Sequence, residues 1–201
     1  MKTLNDRPWL ILGAGGHAAV VIDALQRAGA TVSGVLDPAW QGAAPLQGVP
    51  MLGADDHLET VNPKQVYIAV GVGGNGGNPV RRSLFTRARN AGFELPPVIH
   101  PDSTVAESAS LEPGVQVMAG AVIQARALLG EGVIVNTLAS VDHDSAIGAF
   151  CHIAPHACIC GGVKLGQGVH VGAGAVVIQE IEVMADSFIK AGSCLTRSLT
   201  R

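Results

Sequence analysis

Four residues concentrate the acid–base chemistry of this chain: Val141-Asp142-His143-Asp144. An imidazole flanked by carboxylates suits proton transfer near neutral pH. The acid holds the ring in one tautomer and supports its cation. No serine or cysteine sits in an elbow motif that would mark a nucleophile. The pattern points to direct attack of an acceptor on an acyl donor, with His143 as general base. Two other readings stay open for His143: a surface histidine, or a ligand in a metal site with other histidines. His152 and His170 are three hexads apart and stack in a repeating frame, whereas the step of nine from His143 to His152 gives no stacked pair. Cys158-Ile159-Cys160 is not a zinc spacing, and no second pair accompanies it. With Cys151 and Cys194, these cysteines read as packing or partly exposed thiols.

A second cluster lies near the start. Gly13-Ala14-Gly15-Gly16-His17 follows the apolar run Trp9 to Leu12. It reads either as a tight turn or as a phosphate cradle, because exposed amides at a helix start favour anions. Asp37 closes the next apolar run. Its distance past Gly13 is close to the roughly 20 residues at which an acid can accept a ribose or base hydrogen bond. The sixth position of the loop is Ala18, so the full Gly-x-Gly-x-x-Gly is missing. A mononucleotide or nucleotide-sugar fits better than NAD. A second glycine loop, Gly71 to Asn78, either wraps a ligand or only connects. Arg81 and Arg82 follow it and read as phosphate contacts or as a solvated helix face.

These residues need elements to place them. Strands are expected over Trp9–Leu12, 31–36 and 65–70, and helices over 18–28 and 80–91. Together they make a small βαβ unit. Residues 98–102 read as a hinge, marked by Pro96, Pro97 and Pro101. From Val105 to Leu195 every sixth residue is Val, Ile or Leu. A helix repeats every three or four residues and a strand every two. A strict period of six marks a parallel β-helix of triangular section, in which every third hexad stacks. Mostly small residues stand four places after the aliphatics and suit tight corners, with Val or Ile at 115, 133, 163, 169 and 181. Glycines 130, 148, 166 and 172 are expected to supply unusual backbone angles there. The expected fold is a small Rossmann-like α/β domain, residues 1–98, followed by a β-helix of hexapeptide repeats, residues 99–201.

Totals exclude some classes. Net charge is −3 over 201 residues, which gives no footprint for nucleic acid. No apolar run reaches membrane-spanning length, and Trp9 to Gly16 does not read as a signal peptide. A cytoplasmic protein is the expectation.

The hexad repeat, the Gly13-Ala14-Gly15-Gly16-His17-Ala18 segment and the stretch from Asn136 to Pro155 resemble the nucleotide-sugar acetyltransferase family. That family includes bacillosamine-pathway and perosamine N-acetyltransferases and sialic acid O-acetyltransferases, and the likeness covers nearly the whole chain. The resemblance implies a left-handed coil, a homotrimer with active sites between subunits, acetyl-CoA as acetyl donor without a metal, and a role in polysaccharide biosynthesis. The acceptor would be the 4-amino group of a UDP- or GDP-linked sugar. His143 would be the base and Asp144 its orienting acid. His152, Gly161, Gly162 and Lys190 would lie along acetyl-CoA. Gly13, Gly15, His17, Asp37, Gly73 and Asn136 would touch the nucleotide-sugar. The developing oxyanion would meet a backbone amide or His152. Lys190 stands where the family often has glycine, and the loop from Gly73 to Asn78 is longer than usual. Competing readings are O-acetylation of a sialic acid, nucleotidyl transfer (disfavoured because its acidic metal-binding pattern is missing) and a non-catalytic trimeric scaffold.

Overall fold

The computed structural model describes residues 3–39, 45–74 and 79–200. The first part is a parallel sheet with two helices. Its strands are β1 Trp9–Leu12, β2 Val32–Leu36, β3 Met51–Gly53 and β4 Tyr67–Val70, in the order β3-β2-β1-β4. Helix α1, Gly16–Arg27, follows β1, and helix α2, Pro79–Asn90, follows β4. All four residues of β1 are buried, as are all four of β4. That explains their unbroken apolar runs, since a central parallel strand is covered on both faces. Strand β3 and a short 3-10 helix, Asp55–Thr60, were not expected from sequence. Two of the three residues of β3 are exposed, and backbone pairing to β2 at the sheet edge is what orders it.

Both faces of this sheet run into the second part. On one side Trp9, Ile11 and the buried face of α1 pack with Val98 and Met118. On the other, Leu10, Leu12 and α2 pack with Phe150, and the Phe85 and Phe150 rings meet edge-on at 5.2 Å. Arg81, buried in α2, donates to the carbonyls of Gly132 (2.8 Å) and Phe150. Burial pushes this guanidinium down to about 10. The sequence left Arg81 between a phosphate contact and a solvated face; it is instead a clamp between the two parts.

The second part is a left-handed β-helix of two-residue strands in three parallel sheets. The first side runs from Val98–Ile99 to Phe188–Ile189, the second from Thr104–Val105 to Cys194–Leu195, the third from Ser110–Leu111 to Glu182–Val183. Val98 and Ile99, expected in a hinge, are already the first coil strand and pair with Gln116 and Val117. Each strand pairs with the one three hexads on, as in His152↔His170 and Ser140↔Cys158. The hexad aliphatics fill the interior, with Val117, Ile123, Val135, Val141, Ile153 and Ile159 fully buried. The small residues beside them, such as Ala121, Ala127 and Ala139, are buried too and fill the inner corners.

The corner glycines correct one expectation. Gly130, Gly148, Gly166 and Gly172 do not have positive φ. They are needed for close approach: a Cβ on Gly166 would lie 2.5 Å from the Ala185 nitrogen on the next turn. Positive φ falls two residues later, at every sixth position from Gly114 (φ 69°) to Gly192 (φ 67°), with Arg126 (61°) and Asp144 (59°) among them.

All four cysteines are free thiols. Cys151 is buried, donates to the Gly166 carbonyl at 3.0 Å, and is pushed up to about 12 by burial, as a packing residue should be.

Candidate active site

The stack of turns brings the expected residues together in two groups. The first lies at the corner between the second and third sides. His143 Nδ1 is 2.7 Å from Asp144 Oδ2. An anionic carboxylate only accepts, so Nδ1 carries a proton, and in the neutral ring Nε2 then holds the lone pair. The His143 N–H also donates to Asp142 Oδ1 at 2.8 Å, which fixes the backbone beneath the ring. Gly161 and Gly162 stack one turn on. A Cβ on Gly161 would lie 2.8 Å from His143 Nε2 and 2.7 Å from Cε1, so the imidazole rests against bare backbone. Gly162 N–H donates to the His143 carbonyl at 2.9 Å. Asp142, His143, Asp144, Gly161, Gly162, Gln179 and Glu180 line an open cleft of about 460 Å³. A larger groove, about 650 Å³, runs along the third side past Leu128, Ala146 and Lys164, but it holds none of these groups. The imidazole–carboxylate pair lies in the smaller cleft.

Arg126 was missed by the sequence reading. It binds Asp144 through Nε to Oδ1 (2.6 Å) and Nη2 to Oδ2 (2.8 Å). This guanidinium, with His143 second, holds the Asp144 carboxyl well below the usual carboxylate range. Asp144 therefore stays an anion across any working pH. Opposite charges one full coil turn apart, in a frame that stacks at that same interval, were the available signal.

The second group lies at the seam between the two parts. The glycine loop closes β1 and opens α1, with Gly15 as the extended residue before the helix. Gly13, at φ 98°, passes so close to Val72 that a Cβ would lie 2.6 Å from its Cγ2. Asp37 sits beside the loop, but both oxygens are engaged: Oδ2 accepts from Ala14 N–H at 2.7 Å and Oδ1 from Ala39 N–H at 2.8 Å. It shapes the loop as much as it offers an acceptor. Gly73 lies over His17, 3.3 Å from an added Cβ to the His17 Cβ. His17 Nε2 meets Gln116 Oε1 at 2.6 Å, and Gln116 Nε2 donates to the Val70 carbonyl at 2.8 Å. Residues 75–78 of the second glycine loop lie outside the described residues.

His152 and Asn136 continue this seam on the coil. His152 Nδ1 meets the Gly74 carbonyl at 2.6 Å, and Nε2 lies 3.1 Å from Asn136 Nδ2. A carbonyl accepts and an amide NH₂ donates, so His152 is neutral with its proton on Nδ1. Burial agrees, pushing His152 down to about 4. Both ring nitrogens of His152 are therefore engaged in this arrangement. His152 meets His170 edge-on and His170 stacks on Phe188, each pair at 5.0 Å between centroids.

One chain does not bring His152 to Gly161 and Gly162. His152 belongs to the first side, whereas the two glycines lie with His143 at the second–third corner. Lys190 is exposed and follows the first-side strand Phe188–Ile189, in the same column as Asn136 and three turns on. Among the described residues, no group of three or more His, Cys, Asp or Glu is placed to hold a metal ion.

Residues 9–88 match the family model of the PglD N-terminal domain. The acetyltransferase domain of PglB from Neisseria gonorrhoeae FA1090, solved with acetyl coenzyme A, is 38% identical; the match covers 98% of this chain and 93% of that one, with a TM-score of 0.91. The chain belongs to the nucleotide-sugar acetyltransferase family. PerB from Caulobacter crescentus, solved with CoA and GDP-perosamine, is 38% identical over 98% of this chain and 92% of that one, with a TM-score of 0.87. A histidine-to-asparagine mutant of the perosamine N-acetyltransferase from the same organism, with the same two ligands, is 37% identical over the same shares, with a TM-score of 0.89. These members of the family are similar from the glycine loop to the last coil turns.

Proposed function

We infer that this chain transfers an acetyl group from acetyl-CoA to the 4-amino group of a UDP- or GDP-linked amino sugar. The observation that carries the reading is the His143–Asp144 pair, with Nε2 free against Gly161, in a chain 38% identical to a protein solved with CoA and GDP-perosamine. His143 accepts the amine proton at Nε2 as the nitrogen bonds to the acetyl carbon; the carbon–sulfur bond then breaks, and CoA leaves as its thiol with that proton, which returns His143 to its starting state. Asp144 keeps Nδ1 protonated and supports the cation that forms. When bound, acetyl-CoA supplies the activated acetyl group. The bare backbone of Gly161 and Gly162 suits a thioester chain lying close to His143, and exposed Lys190 suits its phosphates. Gly13, Gly15, His17, Asp37 and Gly73 hold the nucleotide at the carboxyl edge of the sheet. Asn136 lines the sugar side, and His152 beside it faces the acetyl thioester.

We propose that these two halves meet across subunits of a homotrimer. Asn136 and His143 are separated by one side of the coil, seven residues, which extended chain spans at about 3.3–3.6 Å each. An acceptor held at the seam of one copy therefore needs the His143 corner of the next. The nucleotide-binding unit is residues 1–98 and the transferase unit 99–201. The acceptor chemistry suits polysaccharide biosynthesis, and both substrates are cytoplasmic metabolites. Among the described residues, no helix is long and apolar enough to cross a membrane.

The test is CoA release with UDP- and GDP-linked 4-amino sugars, with CMP-sialic acid as the hydroxyl comparison. His143→Ala should lower kcat by about 10²–10⁴, the usual contribution of a general base. Full activity in that variant would overturn the mechanism, and turnover only with the sialic acid would overturn the acceptor.

A further inference from the structure

Arg126 has no role in the mechanism above, yet it is the strongest partner of the orienting acid. Asp144 Oδ2 is shared: it meets His143 Nδ1 at 2.7 Å and accepts from Arg126 Nη2 at 2.8 Å. Oδ1 accepts from Arg126 Nε at 2.6 Å. A carboxylate tied at one point can rotate about its stem, whereas a guanidinium fork fixes its plane. The fork itself is anchored in the coil. Arg126 N–H donates to Ser108 Oγ on the turn below at 3.2 Å, and Asp144 N–H donates to the neighbouring Ala125 carbonyl, also at 3.2 Å. Both residues hold left-handed corner angles, so their stems leave the backbone in the same sense.

We propose that Arg126 is a positioning residue for acetyl transfer, clamping Asp144 so that the His143 ring is held with Nε2 toward the acceptor. This rests on His143 being the base. The arrangement also has an electrostatic side. The groups facing His143 are Asp142 and Asp144 on its own corner, Arg126 from the turn below, and Gly161, Gly162, Gln179 and Glu180 from the turns beyond. Three of these are carboxylates, and Arg126 is the cation among them. Its positive charge offsets part of the negative charge gathered around the imidazole.

The experiment is steady-state acetyl transfer by the intact protein, for wild type, Arg126→Ala, Arg126→Lys, Asp144→Asn and the double variant Arg126→Ala/Asp144→Asn. Wild type and His143→Ala are measured first; no wild-type turnover, or an unaffected His143→Ala, would mean that the functional reading itself has failed. Given that reading, Arg126→Ala should lower kcat about tenfold with KM for both substrates within about twofold. Arg126→Lys keeps the charge and loses the fork, so kcat should fall here too, again with KM little changed. In the Asp144→Asn background, removing Arg126 should change little, because its effect passes through that carboxylate. Unchanged kcat in both Arg126 variants would overturn the clamp. So would an equal loss with and without Asp144, which is what a merely structural role gives.

Discussion

Gly161 shows how much catalysis depends on a side chain that is missing. Its Cα faces the His143 ring, and a methyl group there would collide with Nε2 and Cε1. The ring is exposed and can swing aside, so Gly161→Ala should fold normally but lose its aim. A displacement of about 1 Å at a reacting atom costs about 10² in rate. We expect kcat of Gly161→Ala to fall by about that factor with an unchanged melting temperature; wild-type kcat would show that the ring does not work from this pose. At this scale the sequence was half legible. His143 and Asp144 are neighbours in the chain, so their pairing shows in the letters. Arg126 and Gly161 reach the same atoms only because every third hexad stacks. The spacing was readable, and the Lys164–Glu182 pair at 2.8 Å obeys it too. Which way each corner residue points was not.

The seam between sheet and coil is where elements meet through histidine. His17, His152 and His170 all have pKa values lowered chiefly by burial, with the charge of Arg81 acting in the same direction on each. For His152 the sign follows directly. The folded value is about 4 against 6.5 for the free side chain, so between those limits the unfolded chain binds the extra proton. Stability therefore rises with pH through that window, is fully present above about 6.5, and falls by about 3 kcal/mol from this group as pH drops to about 4. Denaturant midpoints measured from pH 7 to pH 4 should fall steeply in wild type and less steeply in His152→Gln. Parallel slopes would remove His152 from the seam's energetics. The elements themselves were mostly legible. The buried runs of β1 and β4 announce strands, and apolar residues at 20, 21, 24, 25 and 28 announce α1. Strand β3 was not, because edge pairing rather than an apolar pattern creates it.

The whole molecule couples a compact sheet domain to a coil whose strands are only two residues long. No coil strand has a core of its own, so each turn is stabilised by the turns above and below. The last third-side strand, Glu182–Val183, is covered by Leu199: Leu199 N–H donates to the Glu182 carbonyl at 2.8 Å and Met184 N–H to the Leu199 carbonyl at 2.7 Å. This level was the most legible, since a period of six kept over fifteen steps admits few folds. Docking of the first part was not, because contacts such as Arg81 to the Gly132 carbonyl leave no trace in any periodicity. The register carries a lesson about how such a chain can change length. Removing residues 164–181 deletes one full turn and returns every aliphatic to the interior. One alanine added between Val176 and Val177 turns the strand's side chains to the wrong face. The shortened chain should therefore keep a cooperative thermal transition, and the chain with one extra residue should melt lower than the chain lacking a whole turn; the reverse order would refute the role of register. Size in this molecule is quantised. Descendants of such a gene can gain or lose whole storeys with little penalty, while the smallest possible edit within a strand is among the most damaging.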